Sequence, residues 1–217
     1  MEGKESIYQK SKLGFQIGYG KRPAVIVVDL QKFFTQDIVS DGCDMASVIR
    51  HTNMILDAAR EKNVKVFFVQ QGYQSPHGID LGAWGLKCHA DREYMRTHEN
   101  FALDDRLHVK DTDVRVVKHW ASAFFGSHLA QMLVNLQVDT AILMGATTSG
   151  CLGASITDAI SHGYRTIVPQ EACWDRSVDV NEMFLWNIGQ KFADVVKTEE
   201  IVGYLNRLAP LTYDNLW

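Results

Sequence analysis

The chain has 217 residues, 46% of them hydrophobic, and a formal net charge of −4. This is enough to bury one sizeable core, and the acidic balance offers no basic surface for nucleic acid. The start of the chain has no apolar leader, and nowhere do about 18 apolar residues run together, so a cytoplasmic protein with a small-molecule partner and no membrane partner is expected.

Residues 1–20 form an N-terminal extension to a single domain spanning 1–217. Ala24-Val-Ile-Val-Val28 is apolar at every position, the pattern of a parallel strand covered on both faces. Met45, Val48, Ile49, Thr52, Ile55, Leu56 and Ala59 then recur at helical spacing. Val64–Val69 reads as the second strand, and Gln71 to Asp113 as a long irregular segment suited to a functional loop or subunit contacts. Val114–Val117 is the third strand, followed by a helix through Leu129, Met132, Leu133 and Leu136. The run Thr140–Met144 leads into Gly145-Ala-Thr-Thr-Ser-Gly-Cys151, where a strand turns into a helix that Gly163 ends. Arg165–Val168 and Asp194–Val196 are the last strands. Asp179 with Glu182 reads as a capping box, and Thr198 as the cap of a final helix carrying Ile201, Val202, Leu205 and Leu208.

Alternating strands and helices predict an open parallel sheet with helices on both faces, which binds ligands beyond the carboxyl ends of its strands. Three residues fall there: Asp29, Lys118 and Cys151. Singly, a strand-end Asp serves as a turn cap, a Lys as a solvated charge and a Cys as a small core residue. Together they form a chemically complete set, in which Asp29 takes a proton, Lys118 stabilises anions and Cys151 attacks a carbonyl carbon. The helix N-terminus at Cys151 is expected to favour thiolate.

Cys43, Cys88, Cys151 and Cys173 show no Cys-x-x-Cys spacing, and Cys88, His89, His77 and His98 include no helical His pair, so neither a metal nor any other cofactor is expected. Gly145-x-x-x-x-Gly150 mimics a phosphate loop, but Cys151-Leu152 stands where such a loop carries Lys and Ser or Thr.

Four segments resemble the isochorismatase-like cysteine hydrolase superfamily, and within it the N-carbamoylsarcosine amidohydrolase branch. They are Arg22–Asp29, Lys118-His-Trp-Ala-Ser-Ala-Phe-Phe-Gly126, Gly145–Cys151, and Asp158–Arg165 continuing through Pro169 to Asp175-Arg176. The resemblance implies a three-layer α/β/α sandwich around a six-stranded parallel sheet, an Asp29, Lys118, Cys151 triad, and a cis peptide between Ala146 and Thr147. It further implies an oxyanion hole from the N–H groups of Thr147 and Cys151, a substrate carboxylate held by Arg176, and a homo-oligomer, a tetramer. Phe34 and Trp174 are expected to line the pocket, with Trp84 and Phe124 as further candidates. The metal-binding members carry an Asp and two His after the second strand; here that stretch reads Gln70-Gln-Gly-Tyr-Gln-Ser-Pro-His77.

The expected activity is cysteine-dependent hydrolysis of a small carboxylated amide or ureido compound such as N-carbamoylsarcosine, with release of ammonia through a covalent thioester or thiocarbamate. Maleamate is the competing substrate, and a non-catalytic binding module of the same fold is the alternative outside enzymology.

Overall fold

The computed structural model describes residues 4–36, 43–75, 79–80, 82–88 and 95–213. Six strands lie side by side: β1 (Pro23–Val28), β2 (Lys65–Gln71), β3 (Val114–Lys118), β4 (Thr140–Ala146), β5 (Arg165–Pro169) and, after a further short piece, β7 (Asp194–Val196). Their order is β3-β2-β1-β4-β5-β7, and every pairing is parallel. A two-residue strand, β6 (Cys173–Trp174), pairs with the end of β4 outside this path. It is too short to leave a periodicity in the sequence.

β1 lies centrally and is buried along its whole length. Its side chains alternate between two cores: Val25 and Val27 face one, Ala24, Ile26 and Val28 the other. The first core is closed by α3 (Met45–Glu61) and α8 (Thr198–Arg207), the second by α5 (Leu129–Asn135), α6 (Cys151–Ser161) and α7 (Val178–Lys191). This is the three-layer sandwich, each buried Val, Leu or Ile being worth roughly 1.5–3 kcal/mol. Helix α3 starts where Asp44 accepts a hydrogen bond from the N–H of Ala46 at 2.9 Å, and its buried face is the one its spacing predicts. Gly163, at φ +89, follows α6 as expected.

Two helix starts differ from the sequence reading. α7 begins at Val178 with Ser177 before it and no side-chain cap, so Asp179 sits inside the first turn and makes no capping box. α8 begins at Thr198, whose N–H and Oγ1 both donate to Glu171 Oε2, at 2.9 and 3.0 Å. That N-terminus is satisfied from across the fold, which no local pattern can reveal.

The long segment after β2 carries α4 (Gly82–Cys88) and a 3-10 turn at Glu99–Phe101. Its second half is tied to the chain after β1: Lys32 N–H donates to Ala102 O and Asp104 N–H to Leu30 O. Before β1, a short α1 (Lys4–Lys10) leads into an arm whose Ile17 and Gly18 N–H groups donate to the Asp194 carboxylate. No helix of the described residues is long and apolar enough to cross a membrane.

Candidate active site

Strand order reverses beside β1: β2 and β3 extend one way, β4, β5 and β7 the other. The crevice between the ends of β1 and β4 is therefore the switch point, where an open parallel sheet leaves room for a ligand. The chain there is shaped by Gly145, at φ +120, where a Cβ would lie 2.1 Å from Val28 O. Only glycine lets β4 run this close to β1 at that angle. One residue further on, the Ala146–Thr147 peptide bond is cis, and after one tight turn α6 begins at Cys151. That turn is held by Thr148 N–H to Trp174 O (2.9 Å) and Ser149 N–H to Asp175 Oδ2 (2.6 Å).

Asp29 follows β1. Its N–H continues the ladder to Val69 O at 2.9 Å, but its φ of +52 swings the chain out of the sheet. A non-glycine residue adopts this at a cost of roughly 1–2 kcal/mol. Lys118 ends β3, and its Nζ lies 2.8 Å from Asp29 Oδ2; both side chains are wholly buried. The contact is an ion pair with off-axis geometry, since neither carboxylate oxygen receives a well-aligned hydrogen bond. Cys151 interacts with both groups and is 5% exposed.

Electrostatics assign a state to each. Burial raises the Asp29 pKa, with Lys118 and Cys151 pulling the other way, which makes the carboxylate a better proton acceptor than a solvated one. Burial works against the Lys118 ammonium, but the charge of Asp29 beside it holds it protonated. The Cys151 thiol is pushed up to about 12 by burial, against the opposing effect of Lys118. The helix N-terminus favours thiolate, but desolvation works against it more strongly, so the sulfur needs a base such as Asp29 to take its proton.

Above Cys151 opens a cleft of about 370 Å³ lined by Phe34, Trp84, Ala121, Thr147, Gly150, Cys151 and Arg176. The N–H groups of Thr147 and Cys151 have no acceptor among the described residues, while the neighbouring N–H groups of Gly150 and Leu152 both bond to Thr147 O. The Arg176 guanidinium makes no ion pair with a described residue, and its backbone N–H is fixed by Asp175 Oδ1 at 2.8 Å. A second depression of about 390 Å³, between the N-terminal arm and α7, holds none of these groups. It is not the candidate.

Asp29, Lys118, Cys151, Thr147, Arg176 and Phe34 thus gather as the sequence predicts, and Trp84 joins them. Trp174 does not line the cleft. As part of β6 it is 2% exposed, its Nε1 donates to Cys43 O, and its ring underlies Arg176 at 6.0 Å. Phe124 is likewise core, stacked on His162 at 5.2 Å. Of the imagined metal ligands, His77 and His89 lie outside the described residues. Sequence reasoning missed Gln31 and Gln71, both wholly buried beside the ion pair. Their signal was an amide at the polar end of an otherwise apolar run.

Fold and site define an α/β protein of the doubly wound kind, with a thiol at its switch point. A model of the isochorismatase domain matches residues 23–200, and the chain belongs to the isochorismatase family. It is 37% identical to an N-carbamoylsarcosine amidase from Arthrobacter over 213 residues, covering 95% of this chain and 80% of that protein. It is 33% identical to a maleamate amidohydrolase from Pseudomonas putida over 197 residues, covering 90% and 92%. A cysteine hydrolase from Pseudomonas syringae superposes with a TM-score of 0.79 at 27% identity, covering 85% of this chain and 92% of that one.

Proposed function

We propose that this protein is an amidohydrolase that uses Cys151 to release ammonia from a small carboxylated amide or ureido compound of the N-carbamoylsarcosine type. The observation that carries the reading is the stack of groups at one point: a sulfur on the cleft wall, a buried base and ammonium behind it, and among the lining residues a guanidinium with no ion pair to a described residue. Asp29 takes the thiol proton, and the sulfur attacks the carbonyl carbon. The N–H groups of Thr147 and Cys151, without an acceptor among the described residues, receive the developing oxyanion. Protonated Asp29 passes its proton to the departing nitrogen, ammonia leaves, and a thioester or thiocarbamate remains. Water, deprotonated by Asp29, attacks that intermediate, and the sulfur departs as the acid or carbamate forms. Lys118 holds the carboxylate and thiolate together, two anions that would otherwise repel.

Arg176 selects for a carboxylate, whose two oxygens match a planar guanidinium. Arg176→Gln is expected to raise KM for N-carbamoylsarcosine by about 100-fold, the worth of a charge-assisted pair, while slow turnover of an uncharged amide stays within about twofold. Equal losses on both would remove Arg176 from recognition. An ammonia-release panel of N-carbamoyl amino acids, maleamate, nicotinamide and biuret tests the reading as a whole. Release from a carboxylated compound supports it, and no release from any member counts against it. Maleamate is the second reading, favoured by the 33% identity with the Pseudomonas putida enzyme; it presents the same carboxylate and the same leaving group.

A homotetramer follows from the same family reading. It is supported by α7, which buries only Ile188 and leaves Val180, Met183 and Phe184 exposed. Light scattering is expected to give about four times the chain mass of 24.5 kDa. A monomer at micromolar concentration would remove this part of the proposal.

A further inference from the structure

We propose that Gln71 is a positioning residue: its side-chain oxygen holds Lys118 in place beside Cys151 and thereby sets the reactivity of the sulfur. The inference rests on the reading of Cys151 as nucleophile.

Gln71 ends β2 opposite Lys118 in the sheet register and is wholly buried. Its amide has one allowed orientation. Nε2 lies 2.7 Å from His119 O, which can only accept, and 2.9 Å from the Tyr73 hydroxyl. With both N–H bonds committed, Oε1 must face the third neighbour, Lys118 Nζ, at 2.5 Å. The ammonium then meets three oxygens: Asp29 Oδ2 at 2.8 Å, Gln71 Oε1 at 2.5 Å and Trp120 O at 3.1 Å. Two of them, Gln71 Oε1 and Trp120 O, accept hydrogen bonds, and the Asp29 carboxylate completes the surround as the counter-charge. A neutral amine has only two N–H bonds, and would turn its lone pair on one of those oxygens. The backbone of Gln71 is pinned as well, since its N–H donates to Gln31 Oε1 at 2.7 Å and its carbonyl accepts from Gln31 Nε2 at 3.0 Å. The cage therefore has no slack.

The titratable groups facing the ammonium are Asp29 after β1 and Cys151 on α6, with the Tyr73 phenol behind the amide. The His119 ring is turned to Asp80 and Arg96, 3.5 Å from each. Taking away the Gln71 oxygen leaves the ammonium one hydrogen-bond acceptor, Trp120 O, beside the Asp29 counter-charge. Lys118 should then release its proton at lower pH, and thiolate at Cys151 should lose support.

The test compares Gln71→Met, of similar length without an amide, with Gln71→Asn, an amide one methylene short. The readouts are the pH dependence of Cys151 alkylation by iodoacetamide and of kcat and KM for N-carbamoylsarcosine. In Gln71→Met, alkylation near pH 7.5 should slow by about 10- to 100-fold and the alkaline limb of kcat/KM should move to lower pH. KM should stay within about twofold. Gln71→Asn should shift the same way by less. A folded Gln71→Met with the wild-type alkylation rate and pH profile overturns the proposal. If Gln71→Met does not fold, an unchanged profile in Gln71→Asn does so. Activity retained in Cys151→Ala would instead overturn the nucleophile itself, whereas an inactive Cys151→Ala beside an unperturbed Gln71→Met removes only the role of Gln71.

Discussion

Cys151→Ala is expected to lower ammonia release by at least about 10⁴-fold while the protein stays folded. Removing a covalent nucleophile leaves only binding and oxyanion stabilisation, which cannot split the amide in two steps. The fold should tolerate the change. The residue is small, the Asp29–Lys118 pair beneath remains intact, and Ser155 still donates to the carbonyl of residue 151 at 2.6 Å. A shift in unfolding free energy within about 1 kcal/mol is expected. Activity at saturating substrate and a thermal melt decide it, and substantial turnover would end the cysteine mechanism. The resting thiol adds a pH signature. Because burial pushes it up to about 12, thiolate grows only as pH rises, so alkylation of the free enzyme should climb steadily from pH 7 to 9. A plateau near pH 7 would mean that the sulfur is already ionised.

Lys118→Met should show the second large effect, on activity and stability together. It strips the counter-charge from a wholly buried carboxylate, and breaking a buried pair from one side costs about 3–5 kcal/mol. The sign of the pH dependence follows from Asp29. Its pKa is already raised by burial, and without Lys118 it rises further, so the folded variant holds a proton that the unfolded chain gives up above roughly pH 4. The folded variant is then least penalised in acid, and its deficit against wild type grows as pH rises. Urea unfolding at pH 5 and pH 8 should show the larger loss at pH 8, and activity should fall by at least about 10³-fold. An equal loss at both pH values would mean that the charge of Asp29 is not what Lys118 compensates.

Six of the seven strands were legible because each carries at least two adjacent apolar residues between turn or helix signals, and β1 and β4 are apolar nearly throughout. β6 was not, since two residues carry no period. The ends of those runs pointed to Asp29, Lys118 and Cys151, because polar residues follow directly where apolar burial stops. What local sequence misjudged was decided by partners far along the chain. Thr198 looked like a cap but is served by Glu171. Trp174 looked like a pocket wall but is drawn under the sheet end by its pairing with Ala146. The helix terminus at Cys151 is visible in sequence, whereas the desolvation that opposes it is not. Gln71 escaped notice for the same reason, as an amide gains meaning only from the ammonium it faces.

The central place of β1 bears on biosynthesis. During synthesis β1, β2 and β3 emerge first and can zip together, but the neighbour on the other side of β1 is β4, whose first pairing partner is Thr140. Until about residue 146 has left the ribosome, Pro23–Val28 is a bare edge of six apolar residues, the kind of template on which nascent chains aggregate. Yield in the cell should therefore depend on chaperones shielding that edge, and a truncation ending before β4 should collect in inclusion bodies.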